Sequence, residues 1–166
     1  YPGERARIDG GFAINPPSAN LIIRDLEIFL AESVYSSGVP KGGVALNDNA
    51  SNACDNVNIV NLVIHNVTRP VQWLRYATAG SVYGCIIYDS GATTGGDDRG
   101  YLTHKGYAAY DPANIKTWTA SDNILIAGGS VCPANCRSVF MYTNNTYWQD
   151  NVSLTGNIVG SAFVSA

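Results

Sequence analysis

Glutamate and lysine are nearly missing from these 166 residues, with three of each. Exposed helix faces ordinarily carry both, so their scarcity argues against a helix-built fold. Histidine occurs only twice, which leaves little for a zinc centre. No apolar run approaches the roughly 18–20 residues that a membrane-crossing helix needs. No charged n-region, apolar h-region and cleavage site open the chain, so any secretion signal is expected to have been removed or never to have been part of this sequence. Cations are short as well: ten Lys and Arg against thirteen Asp and Glu give a formal net charge of −3. Nucleic acid and anionic membrane surfaces both call for a basic face, so neither is expected as a partner.

What is abundant points one way. Hydrophobic residues make up 46% of the chain, enough for a real core and too many for a disordered polymer. Thirteen Ile and fourteen Val favour strands. Sixteen Asn and seventeen Gly favour tight turns built on left-handed residues. The composition is that of an all-β protein, and the length suits a single domain over residues 1–166. Cys132 and Cys136 flank the string CPANC, which suits a small disulfide loop, and Cys54 with Cys85 would make a second bridge. Four cysteines permit three pairings, and buried free thiols are the alternative.

Five segments share one pattern, an apolar strand, a polar or small corner, and a second short apolar strand. They are ANLIIRDLEIF (19–29), DNVNIVNLVIHN (55–66), GSVYGCIIYDSG (80–91), WTASDNILIAGG (118–129) and DNVSLTGNIVGSA (150–162). Aligned, they put Asp25, Asn61, Cys85, Asn123 and Asn157 at the corner. The Asn-Gly and Asp-Gly signals of tight hairpins are missing there. An Asn in left-handed conformation bends the chain between two sheets instead. Repeated corners of that kind stack strands in parallel, coil on coil.

The opening YPGERARIDGG and the strings DNVNIVNLVIHNV, VYGCIIYDSG and IKTWTASDNILI resemble right-handed parallel β-helix proteins of the pectate-lyase-like superfamily. The resemblance implies a three-sheet solenoid of about five coils, with a ladder of stacked Asn at the corner that Asp25 and Cys85 interrupt. Inward positions are then Val57, Ile59, Leu62, Ile64, Ile86, Ile124, Ile126, Val152, Leu154 and Ile158. The third strands fall at 72–75, 107–110 and 138–142. No polar capping segment reads at either end. Such a chain is expected to belong to a longer β-helix or to have its ends covered by another chain.

In the family the binding groove follows one sheet and its flanking loops. The loops here are Ala31–Gly43, Asp89–Gly106 and Gly128–Arg137. The middle one, DSGATTGGDDRGYLTHKGY, holds Asp89, Asp97, Asp98, Arg99, His104 and Lys105. Cleavage of uronic-acid polymers needs a counter-charge for the sugar carboxylate, commonly Ca²⁺ held by acidic oxygens, and a base for the C5 proton. Asp89, Asp97 and Asp98 are the expected metal ligands. Lys105, His104, Asp98 and Arg99 are the expected catalytic groups of a polysaccharide-lyase-like enzyme, and Asp97 with Asp98 would serve a hydrolase. GGDD matches one fragment of the polygalacturonase pattern, while its other fragments and the arginine motif of pectate lyases are missing. Trp73, Tyr107, Tyr110 and Tyr142 fall on or near successive third strands, a file on which sugar rings would stack. His65 ends a strand and reads as a satisfied surface histidine. Three functions follow: an extracellular carbohydrate-directed domain that cleaves, a non-catalytic binder of polysaccharide or cell-surface glycan, and a structural solenoid that self-associates end to end into an extracellular fibre.

Overall fold

The computed structural model describes residues 4–15, 18–30, 43–46, 54–67, 70–73, 79–90, 100–105, 117–127, 137–142 and 151–161. Among them the chain is all-β, without a helix. The strands are β1 (Ala6–Asp9), β2 (Gly11–Ile14), β3 (Ser18–Arg24), β4 (Leu26–Phe29), β5 (Gly43–Leu46), β6 (Cys54–Val60), β7 (Val63–His65) and β8 (Val71–Trp73). They continue as β9 (Ala79–Tyr83), β10 (Ile86–Tyr88), β11 (Gly100–Lys105), β12 (Thr117–Ser121), β13 (Ile124–Ala127), β14 (Arg137–Tyr142), β15 (Asn151–Thr155) and β16 (Ile158–Ser161).

Each strand pairs in parallel with the third strand after it. Sheet A is ordered β1-β4-β7-β10-β13-β16, sheet B β2-β5-β8-β11-β14, and sheet C β3-β6-β9-β12-β15. The chain therefore visits A, B and C in turn and returns one position further on, a solenoid-like winding. The first turn begins earlier than the repeats suggest, because Ala6–Asp9 already pairs with Leu26–Phe29.

Apolar rows line the inside. Ile28, Ile64, Ile87 and Leu125 are register partners in sheet A and are fully buried. Ile59, Val82 and Ala120 form the matching row in sheet C. Burying an Ile or Val side chain contributes about 1.5–3 kcal/mol, and here each does so against its like in the next coil. Trp118 is buried in register with Gly80, so the largest core side chain meets the smallest residue of the coil beside it.

The corner from sheet C to sheet A shows why the winding holds, and it corrects the alignment read from the sequence. Two columns pass through it. The first holds Asp25, Asn61, Gly84, Asp122 and Gly156, all with left-handed backbone. The second holds Leu26, Leu62, Cys85, Asn123 and Asn157, facing inward. Asn61 is thus equivalent to Gly84, and the amide ladder proper is Asn123 over Asn157. Asn123 is fully buried. Its Oδ1 accepts from the Cys85 amide at 2.8 Å, and its Nδ2 donates to Val82 O at 3.0 Å and Asn157 Oδ1 at 2.9 Å. Asn157 Nδ2 donates to Ala120 O at 2.8 Å.

That one-residue shift has a second consequence. After a left-handed residue the next one turns inward, so Cys85, Asn123 and Asn157 occupy the inside and Ile86, Ile124 and Ile158 the outside. A slip of one exchanges the faces of a strand. Ile86, Ile126 and Ile158, expected in the core, are exposed, Ile158 at 64%, while Ile87 and Leu125 take their places. Leu154 keeps its inward register on the row of Ala120 yet is exposed.

Candidate functional site

Sheet B carries four of the five expected site residues that lie among the described residues, and register places them. Trp73 pairs with His104, and both lie on the row of buried Leu46. Lys105 pairs with Tyr142 on the neighbouring row. The stretch taken as one loop from Asp89 to Gly106 contains a strand: Leu102 pairs with Val71 on one side and Val139 on the other, which draws Gly100–Lys105 into the sheet. His104 and Lys105 are therefore strand residues, and β11 stands where 107–110 was expected. Asp97, Asp98, Arg99, Tyr107 and Tyr110 lie outside the described residues. Asp89 closes β10 in left-handed conformation, and its carbonyl accepts from the Asn66 amide at 2.9 Å. Among the described residues no three His, Cys, Asp or Glu side chains come together to hold a metal ion.

Cys54 and Cys85 are both buried and are not bonded to one another, which overturns the bridge expected between them. Cys54 starts a strand of sheet C, where its sulfur lies 3.6 Å from Ile14 O. Cys85 occupies the inner corner column. Its sulfur accepts from the Leu62 amide at 3.4 Å and lies 3.9 Å from Ile59 O, the two contacts that Asn123 makes one coil on. Burial pushes the Cys85 thiol up to about 11, so it is protonated and unreactive at neutral pH. Cys132 and Cys136 lie outside the described residues.

The outward face of sheet A holds a stack that the sequence did not announce. The rings of Phe29, His65 and Tyr88 lie nearly parallel, with centroids 5.8 Å and 4.9 Å apart. The Arg7 guanidinium lies over the free face of Phe29, 4.4 Å from its centroid. Glu27 ties the stack together: its Oε1 is 3.0 Å from Arg7 Nη2 and 3.2 Å from His65 Nε2. His65 Nδ1 lies 3.3 Å from Asn66 Oδ1, so each ring nitrogen has an oxygen beside it. The hydrogen bond from His65, then that from Arg7, holds the Glu27 carboxyl below its ordinary value against the opposing effect of burial. The rings spend their flat faces on one another, so this stack is a spine and not a platform for sugars.

Sheet C presents the other outward face. Its central row runs Ile22, Asn58, Ser81, Thr119 and Ser153. The next runs Arg24, Val60, Tyr83, Ser121 and Thr155. Ser81 Oγ donates to Asn58 Oδ1 at 2.6 Å, Asn58 Nδ2 to Asn56 Oδ1 at 3.2 Å, and Asn56 Nδ2 to Asn20 Oδ1 at 2.9 Å. Asn20 and Asn56 are left-handed at matching points of adjacent strands, a conformation Asn tolerates. Tyr83 is 50% exposed. The alternation in SVY, TWTAS and VSLT signals these rows. The register that joins them spans intervals of 23 to 38 residues, which no local pattern reports.

No protein-family profile, curated protein or solved structure matches the chain.

Proposed function

We propose that this chain is a carbohydrate-directed, right-handed parallel β-helix domain of the pectate-lyase-like kind, binding an extracellular polysaccharide along sheet B. Parallel strands joined by crossovers are right-handed in about 98% of cases, which supports the hand. The observation that carries the reading is the register of sheet B: Lys105 stands beside Tyr142, on the row next to the inward one that holds Trp73 and His104. A cationic and an aromatic residue type that suit a sugar polymer are thus neighbours across coils, although 37 residues separate them in sequence. Lys105 is the residue best suited to meet a sugar carboxylate or to act as a base. Of the three acids expected to hold Ca²⁺, only Asp89 lies among the described residues, and no step is routed through the ion. An extracellular location follows from a polymeric ligand of this class.

Affinity electrophoresis in gels containing polygalacturonate tests the reading. The folded protein should be retarded, and Lys105→Ala combined with Tyr142→Ala should weaken retention about tenfold while leaving the circular dichroism spectrum unchanged. Mobility that polygalacturonate leaves unaltered, or retention indifferent to both substitutions, overturns it.

A further inference from the structure

Sheet C differs from sheet B in chemistry. Its outward rows hold amides and hydroxyls, each able to donate and accept. Several are already oriented by one another, through the chain of bonds from Ser81 through Asn58 and Asn56 to Asn20. Side chains held in this way lose little freedom when a ligand arrives, which removes a main cost of binding. Exposed apolar surface is interleaved with them, from Tyr83 and from Ile22, 61% exposed. That mixture of neutral hydrogen-bonding groups with flat apolar patches matches the surface of a sugar, whose hydroxyls and C–H faces alternate.

The charges decide which sugar. Among the described residues, the charged groups at or beside this face are Arg24, Asp55 and Asp122, with Asp25 and Arg5 at the corner it shares with sheet A, where the Arg5 guanidinium donates to Asn61 O and Oδ1. The Arg24 guanidinium is committed to Asp25, with Nε 2.5 Å from Oδ2. Asp122 stands at the corner with its carboxylate over Gly156. Both cations are thus engaged within the chain, so the face offers no uncommitted cation to a uronate.

We propose that sheet C is a second binding surface, for a neutral polysaccharide lying along the solenoid across successive coils. It shares with the reading of sheet B only the class of ligand. Strands stand about 4.8 Å apart, so the row from Ile22 to Ser153 spans about 19 Å. Affinity should rise with chain length until a glycan covers that span and then level off.

The test is affinity electrophoresis in xyloglucan, mannan and mixed-linkage glucan, beside polygalacturonate. At least one neutral polymer should retard the protein. Tyr83→Ala, and separately Ser81→Val with Thr119→Val, should each weaken that retention about tenfold, with thermal melts confirming that the variants fold. Retention should persist in 0.5 M NaCl, about where long-range charge effects are screened, and Lys105→Ala should not alter it. If no neutral polymer is retained, or if the sheet C variants bind like the parent, the proposal is overturned. Retention by polygalacturonate that depends on Lys105 would in that case leave the sheet B reading standing. Neutral retention lost in the Tyr83 variant would uphold sheet C even if polygalacturonate binding failed.

Discussion

Gly84 and Gly156 occupy the same column of the corner and share the same backbone, with φ of +63° and +66°. Their surroundings differ. A Cβ at Gly156 would meet Asp122 Oδ1 at 2.3 Å, whereas nothing lies within 4 Å of one at Gly84. Asn61 already fills this column one coil away and adopts the left-handed conformation. Gly84→Asn is therefore expected to change stability by less than about 1 kcal/mol, and Gly156→Ala to cost more than that, since it adds a clash to the strain of a positive φ. Urea melts followed by circular dichroism measure both. Equal costs would mean that the aspartate swings aside freely.

At the scale of the strand, the outward face of sheet A turns on Glu27. Its carboxyl is held below the ordinary value of 4.5 through His65 and Arg7. A depressed carboxylate stabilises the fold above its unfolded value, and that contribution is lost as pH falls through the folded one. Glu27→Gln should therefore lower the melting temperature at pH 7. The gap between variant and parent should close as pH falls through the folded value, which lies below 4.5, because the parent carboxylate too then becomes protonated. A gap that stays constant from pH 7 to pH 3 would show that the charge contributes nothing. The strands themselves are largely legible, because Val57 and Ile59 alternate with Asn56 and Asn58, and Asn61 and His65 bound the run Leu62-Val63-Ile64. The face of the later sheet A strands was not: Ile86-Ile87, Ile124-Leu125-Ile126 and Ile158-Val159 are apolar on both sides, so alternation carries no information there. The strand Gly100–Lys105 was hidden by the charged glycine-rich string before it. The ring stack was hidden because Phe29, His65 and Tyr88 become neighbours only through register.

For the whole molecule, stability passes from coil to coil. Each coil touches only those beside it, so damage at one level should stay local. Asn123→Ala leaves the Cys85 amide and Val82 O without their side-chain partner, at about 1–3 kcal/mol for each buried group left unsatisfied. Hydrogen exchange should quicken first at Cys85, Asn123 and Ile124, while Val57 and Ile59 keep their protection. Uniform loss along the chain would instead mean that the solenoid melts as one unit. The passages between sheets differ in a way that bears on redesign. From C to A the connection is never longer than two residues, whereas from A to B it varies between one residue, at Gly10, and thirteen, between Phe29 and Gly43. All length variation is thus diverted away from the amide column. A foreign peptide grafted after Phe29 would ride on the scaffold as cargo, whereas a single insertion at Asn61 would exchange the inner and outer faces of Val63–His65.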